Sequence, residues 1–229
     1  MGQSGRTDGC GLCNKGKGAI FDLDGTLLDS MGVWLEIDRR FFERRGLGMP
    51  ADYASTVASM QTDAIARYTI DRFGLDERPQ ALVDEWENDA RILYATAVKP
   101  KPHAVGYLRA LKATGARLAV ATSLPHSLRW VALEHAGMAD CFDCACSVDD
   151  AGSVGKAEPD IYRLAARQLG VEPTDCTVFE DLLLALRSAR SVGMKVWAVY
   201  DDSSASDWGR IQAVADGAIR DFSQAPACL

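Results

Sequence analysis

Between residues 104 and 199 short apolar runs alternate with amphipathic stretches, and this alternation constrains the fold more than any other feature of the 229-residue chain. Helical patterns cover residues 104–114, 127–136, 159–169 and 183–192. Strand-like runs cover residues 117–121, 144–148, 176–179 and 195–199. A further apolar run, Gly18-Ala19-Ile20-Phe21-Asp22, stops at the turn Asp22-Leu23-Asp24-Gly25-Thr26. Such runs suit strands buried on both faces, as in a parallel sheet covered by helices. Helices alternating with short strands therefore predict an α/β core whose parallel sheet is sandwiched by helices.

The segment 31–98 is of another kind. Trp34, Ile37 and Phe41 recur at helical spacing, and Gly46 stands where a helix C-cap belongs. Further helical patterns cover residues 62–73 and 80–97 and carry Ile65, Ile70, Leu82, Trp86 and Leu93. With no strand pattern, this segment predicts an all-helical insert. Lys99-Pro100-Lys101-Pro102 then makes a stiff, extended return, because proline restricts itself and the residue before it. Residues 1–17, rich in glycine and polar groups, read as a mobile tail without the apolar stretch of a secretory signal. The plan is thus a tail at 1–17, a core at 18–30 and 99–229, and a helical insert at 31–98.

A formal net charge of -7 argues against a nucleic-acid binder, which needs a basic face, and against a peripheral protein of anionic membranes. No apolar run approaches the roughly 20 residues of a membrane span. The expected location is cytoplasmic. Of seven cysteines, Cys10 with Cys13 and Cys141 with Cys144 and Cys146 could supply four thiolates for zinc. The better reading makes Cys144 and Cys146 small buried groups on one face of a strand. The odd count disfavours a disulfide framework.

Open parallel sheets bind ligands outside the carboxyl ends of their strands. The first strand ends in Asp22 and Asp24 and the second in Thr122 and Ser123. Lys156 follows the third after a loop, and Glu180 and Asp181 close the fourth. Four carboxylates brought together repel unless a cation is shared among them, and a set of oxygen ligands suits a hard ion such as Mg2+. That ion and Lys156 would neutralise a phosphate while Thr122 and Ser123 bind its oxygens. Two carboxylates two residues apart can serve as nucleophile and proton-transfer partner. Singly, an Asp-x-Asp is usually a solvated turn, a lone lysine a surface residue, and Glu180-Asp181 a helix start. Their conjunction, in order, at four strand ends points to phosphoryl transfer.

The run from Phe21 to Ser30, read with Thr122-Ser123, with Gly155 to Tyr162, and with Phe179-Glu180-Asp181, closely resembles the four motifs of the haloacid dehalogenase superfamily. The resemblance extends from Gly18 to about Phe222 and implies a Rossmann-like core with an inserted all-α cap. It further implies that Asp22 is the nucleophile that forms an aspartyl-phosphate and Asp24 the general acid and base. Thr122 would bind the phosphoryl group and Lys156 stabilise its charge. Magnesium would be held by Asp22, Asp24 through its carbonyl, and Asp181, with Glu180 a ligand or a supporting partner. The cap would close over the site and select substrate. Departures are Leu182 where serine is usual, Ala185 for glycine, Ala157 for proline, and His103 where glycine is common.

Dehalogenases and phosphonate-cleaving relatives lack the acid at Asp24, so the resemblance implies phosphate chemistry. The expected activity is hydrolysis of a small phosphorylated metabolite, by a monomer. A β-phosphoglucomutase-like sugar phosphomutase is the alternative, although residues 31–42 hold no histidine; a non-catalytic phospho-ligand-binding relative is a third reading. Among the remaining residues, His126 reads as a solvent-facing loop histidine and His135 as structural. Trp34, Trp86, Phe41 and Phe42 read as cap core. Arg39, Arg40, Arg44 and Arg45 read as a solvated face from which one guanidinium could reach a second anionic group.

Overall fold

The strand β1 (Gly18–Phe21) and the two-residue β2 (Leu28–Asp29) open the regular structure. Four helices follow: α1 (Val33–Arg44), α2 (Tyr53–Val57), α3 (Thr62–Phe73) and α4 (Pro79–Thr96). The chain returns through β3 (Lys99–Pro100), α5 (Ala104–Ala113), β4 (Arg117–Thr122), α6 (His126–His135) and β5 (Cys144–Ser147). It continues as α7 (Asp160–Leu169), β6 (Cys176–Glu180), α8 (Leu183–Ser191), β7 (Lys195–Val199), α9 (Trp208–Val214) and β8 (Gly217–Ile219). This computed structural model describes residues 12–57, 60, 62–152 and 155–229. Two units result, one of Met1–Asp29 with Lys99–Leu229, the other of Ser30–Val98.

In the first unit six strands form one sheet in the order β5-β4-β1-β6-β7-β8, and every pairing is parallel. The α/β sandwich read from the alternation is present. Strand residues alternate between two apolar layers. Ile20, Val178, Val196 and Ala198 join Ile161, Ala165 and Leu186 in one. Phe21 faces the other way, where it stacks on Phe179 of the neighbouring strand at 4.6 Å and meets Tyr107 edge-on at 6.3 Å. The short β2 pairs antiparallel with β3, joining the two crossings of the chain between units.

Five short elements, α2, β2, β3, α9 and β8, escaped the sequence pattern. With five residues, α2 shows less than two turns of periodicity, and β2 with β3 are too short to show any. Strand β8 has three residues and begins on Gly217, where an added Cβ would lie 2.6 Å from the Trp197 ring. His103 takes φ +63°, a left-handed conformation that favours glycine. Its ring Nδ1, 2.7 Å from Asp221 Oδ1, offsets that cost.

The segment 1–17 was expected to be a tail. Residues 1–11, with Cys10, lie outside the described residues. From Asn14 onward the chain is held: Asn14 is fully buried and its Nδ2 donates to Thr114 Oγ1 and to the Ala227 carbonyl, each at 2.8 Å.

The second unit has an aromatic core. Phe42 lies edge-on to Tyr53 and Phe73, both at 4.9 Å, and Phe41 sits 5.4 Å from Phe42 and 5.5 Å from Trp86. Trp34 does not join this core; it is 50% exposed, on a helix whose buried face is set by Val33, Ile37 and Phe41. The arginines are more than a solvated face. Arg45 lies 3.8 Å over the Phe41 ring and pairs with Glu77 and Glu85, while Arg44 pairs with Glu85 and Asp89, tying α1 to α4.

Candidate active site

Parallel register sets the geometry. Phe21 stands opposite Val120 on one side and Phe179 on the other, so the residues beyond it on β1, β4 and β6 emerge at one sheet end. Asp22 follows β1, with its N–H on the Phe179 carbonyl at 3.1 Å. Thr122 is the last residue of β4, and Glu180 that of β6 with Asp181 next. Asp22, Glu180 and Asp181 are all buried, and each offers a carboxylate oxygen within 4.8 Å of the others.

Lys156 enters this acidic cluster from the loop between β5 and α7. Its buried Nζ donates to Asp22 Oδ1 and, at 2.5 Å, to Glu180 Oε1. Tyr162 OH donates to the same Glu180 oxygen at 3.2 Å. The other oxygen, Glu180 Oε2, accepts from the N–H groups of Asp181 and Leu182 at 3.0 and 3.1 Å. Glu180 is thus engaged through both oxygens. Leu182, which replaces the usual serine, exposes its side chain and contributes through its main chain.

The charges do not balance. Burial raises the Asp22 pKa to about 7; Lys156 opposes the rise, and the repulsion of Glu180 and Asp24 adds to it. Asp181 is raised to about 9, first by burial and then by Glu180 and Asp22. Burial alone would pull the Lys156 ammonium down, but Asp22 and Glu180 outweigh it and hold it above its usual range. Thr26 Oγ1 donates to Asp181 Oδ1 at 3.0 Å, whereas Asp181 Oδ2 is buried with no hydrogen-bond partner. A buried, unsatisfied carboxylate oxygen beside two more carboxylates and one lysine fits a hard divalent cation.

The remaining predicted residues are distributed as follows. Asp24 is half-buried and near enough to Asp22 to repel it. Thr122 is fully buried, and its Oγ1 accepts the Leu124 N–H at 3.0 Å, leaving the hydroxyl proton to donate. Ser123 is exposed. His126 is exposed and accepts from Arg129 through Nδ1 at 2.8 Å; His135 is exposed at the end of α6. Cys146 is buried and Cys144 half-buried. Among the described residues no cysteine belongs to a cluster able to hold a metal.

Tyr162, Thr26 and Gly25 were not singled out from the sequence. Tyr162 has the helical spacing of a core residue, and only the fold aims its hydroxyl at Glu180. Gly25 has φ +81°, and an added Cβ would lie 2.7 Å from Asp181 Oδ2. Gly25→Ala is therefore expected to displace the Asp181 carboxylate and to strain the turn by about 1–2 kcal/mol. In thermal-shift measurements the variant should lose most of any magnesium-induced stabilisation. A full metal response in the variant would show that the turn does not shape the acidic cluster.

Comparison with known proteins finds relatives along most of the chain. The sequence profile of haloacid dehalogenase-like hydrolases matches residues 17–193. A fructose-1-phosphate phosphatase of Escherichia coli is 30% identical over 179 residues, covering 77% of this chain and 93% of that protein. A protein described as a probable pseudouridine-5'-phosphatase of Drosophila melanogaster is 31% identical over 189 residues, covering 80% of each. Among solved structures, CbbY from Rhodobacter sphaeroides in complex with phosphate superposes with a TM-score of 0.73 at 22% identity, covering 91% of this chain and 95% of that one.

Proposed function

Since the chain belongs to the haloacid dehalogenase-like hydrolase family, we propose that it is a magnesium-dependent phosphatase that hydrolyses a small phosphorylated metabolite through an aspartyl-phosphate on Asp22. The observation that carries this reading is the desolvated Asp22 carboxylate, held by Lys156 at a strand end beside the unsatisfied oxygen of Asp181.

Asp22 attacks phosphorus with a carboxylate oxygen, and Asp24 protonates the departing alkoxide. Asp24 then takes a proton from the water that hydrolyses the acyl phosphate and restores Asp22. Lys156 and the Thr122 hydroxyl bind the oxygens of the transferring group, with Ser123 at the edge of the same strand end. A magnesium ion held by Asp22, Asp181 and the main-chain carbonyl of Asp24 would supply positive charge opposite those oxygens. Glu180, grouped by sequence with the metal-holding carboxylates, acts in this reading by orienting Lys156 and the main chain at Asp181. The helical unit 30–98 is the cap that selects substrate. Among the described residues no helix is long and apolar enough to cross a membrane, and the substrate is taken as a small soluble metabolite.

The two named phosphatases above support sugar phosphates and nucleoside phosphates as the first classes to test. Phosphate release from a panel holding both, measured with and without magnesium, is expected to show metal-dependent turnover of at least one compound. No release from any compound in the presence of magnesium would overturn the reading. Phosphate reappearing on another carbon of a sugar, with none set free, would replace it with a mutase.

A pH dependence follows. A carboxyl whose pKa is raised on folding holds its proton more tightly in the folded chain, so it favours folding at low pH. That contribution is lost as pH climbs from the ordinary carboxylate range, about 4, through about 7 for Asp22 and about 9 for Asp181. The metal-free protein should therefore lose thermal stability between about pH 5 and 9, and the stabilisation by magnesium should grow over the same interval. A magnesium shift that is flat across that range would separate the cation from these carboxylates.

A further inference from the structure

We propose that Cys13 and Cys228 form a reversible disulfide that fastens the segment before β1 to the segment after β8. The two residues are 215 positions apart in sequence, yet Cys228 Sγ lies 2.7 Å from Cys13 Sγ. They are the exposed cysteines among the described residues, whereas Cys141, Cys146 and Cys176 are buried and Cys144 is half-buried. Besides a long contact from Cys13 Sγ to the Ala227 carbonyl at 3.8 Å, hydrogen bonds that involve neither thiol set their placement. Asn14, the residue after Cys13, donates from its N–H to the Thr114 carbonyl at 3.1 Å and from Nδ2 to the Ala227 carbonyl at 2.8 Å. The Leu229 N–H donates to Asn14 Oδ1 at 2.8 Å. One fully buried asparagine side chain thus binds the residues on either side of Cys228. Tyr107 OH secures the same segment by donating to the Pro226 carbonyl at 3.0 Å.

Exposure makes both sulfurs accessible to a small oxidant, and the fixed main chain presents the second thiol to the first. With a low-molecular-weight disulfide such as oxidised glutathione, the thiolate of one cysteine attacks an oxidant sulfur. The oxidant S–S bond breaks, one reduced thiol leaves, and a mixed disulfide remains on the protein. The second cysteine, as thiolate, then attacks the protein-bound sulfur, forms the Sγ–Sγ bond and expels the second reduced thiol. The two electrons and two protons lost by the cysteines end on the oxidant, and excess reducing thiol reverses the exchange. Closing a loop of more than 200 residues restricts the unfolded chain, so the oxidised form resists unfolding.

The test is to incubate the full chain with oxidised glutathione and map its peptides by mass spectrometry without reduction. The expected product carries Cys13 linked to Cys228, has lost two hydrogens, and melts about 5 °C or more above the reduced protein; dithiothreitol reverses both changes. Cys13→Ser and Cys228→Ser should each abolish the linked peptide and the melting shift, leave glutathione on the remaining partner, and release phosphate at the wild-type rate. Glutathione carried separately on both cysteines of the wild-type chain, a link to a different cysteine such as Cys10, or no modification would each overturn the proposal.

Discussion

Replacing Asp22 with Asn is expected to lower kcat for phosphate release by at least about 10^3-fold while leaving the protein folded. The substitution keeps the shape of the side chain and its place beside Phe179, but an amide is a poor nucleophile toward phosphorus. It also removes a charge that burial and neighbouring carboxylates disfavour, since the Asp22 pKa is raised to about 7. The metal-free melting temperature should therefore stay level or rise even though turnover disappears. Lys156 retains Glu180 as a partner, so the lysine is not left as an isolated buried charge. Paired measurements of turnover and melting separate a chemical role from a structural one. A variant that keeps turnover within tenfold of wild type would exclude Asp22 as nucleophile and favour direct attack by water.

Lys156→Met should cost both stability and activity. Among the described residues the Lys156 ammonium is the cation paired with this carboxylate cluster, and its removal leaves Asp22 and Glu180 facing each other in a buried site. Breaking a buried pair by deleting one partner typically costs about 3–5 kcal/mol. For a chain of this size that corresponds to a melting temperature lower by roughly 6–20 °C near pH 7.5. Methionine fills a similar volume, so the loss is electrostatic rather than a cavity effect. The deficit should shrink as pH falls through about 7, because protonating Asp22 removes its repulsion with Glu180 that the lysine neutralised. Turnover should drop by at least about 10^2-fold with magnesium present, since the transferring phosphoryl group loses a fixed positive charge. A melting temperature within about 2 °C of wild type would show that the cluster does not depend on the lysine.

Much of the catalytic unit was legible because periodicity is a local record of which faces are buried. Apolar runs with polar ends predicted β1, β4, β5, β6 and β7, and parallel pairing obliges the carboxyl ends of such strands to share one side of the sheet. The pattern therefore puts Asp22, Thr122 and Glu180 at one end of the sheet. The helices α1, α3 and α4 were equally readable from their apolar spacing. The three-residue β8 and the five-residue α2 carry too little repeat to be read.

Partnerships between distant residues are recorded in no local pattern. Sequence left Glu180 as either a metal ligand or a supporting partner; the fold engages both its oxygens with Lys156, Tyr162 and two main-chain N–H groups. Trp34 shares the helical spacing of Phe41 but remains half exposed, because spacing defines a face without saying how far along the helix its neighbours reach. Cys13 and Cys228 meet only because Asn14 hydrogen-bonds the strap of residues around position 228. Short-range repeats and parallel pairing alone specify the layers of the core and the order in which its polar strand ends occur. Tertiary structure decided which charge faces which, because a buried group's energy depends on the few side chains that packing brings within hydrogen-bonding reach.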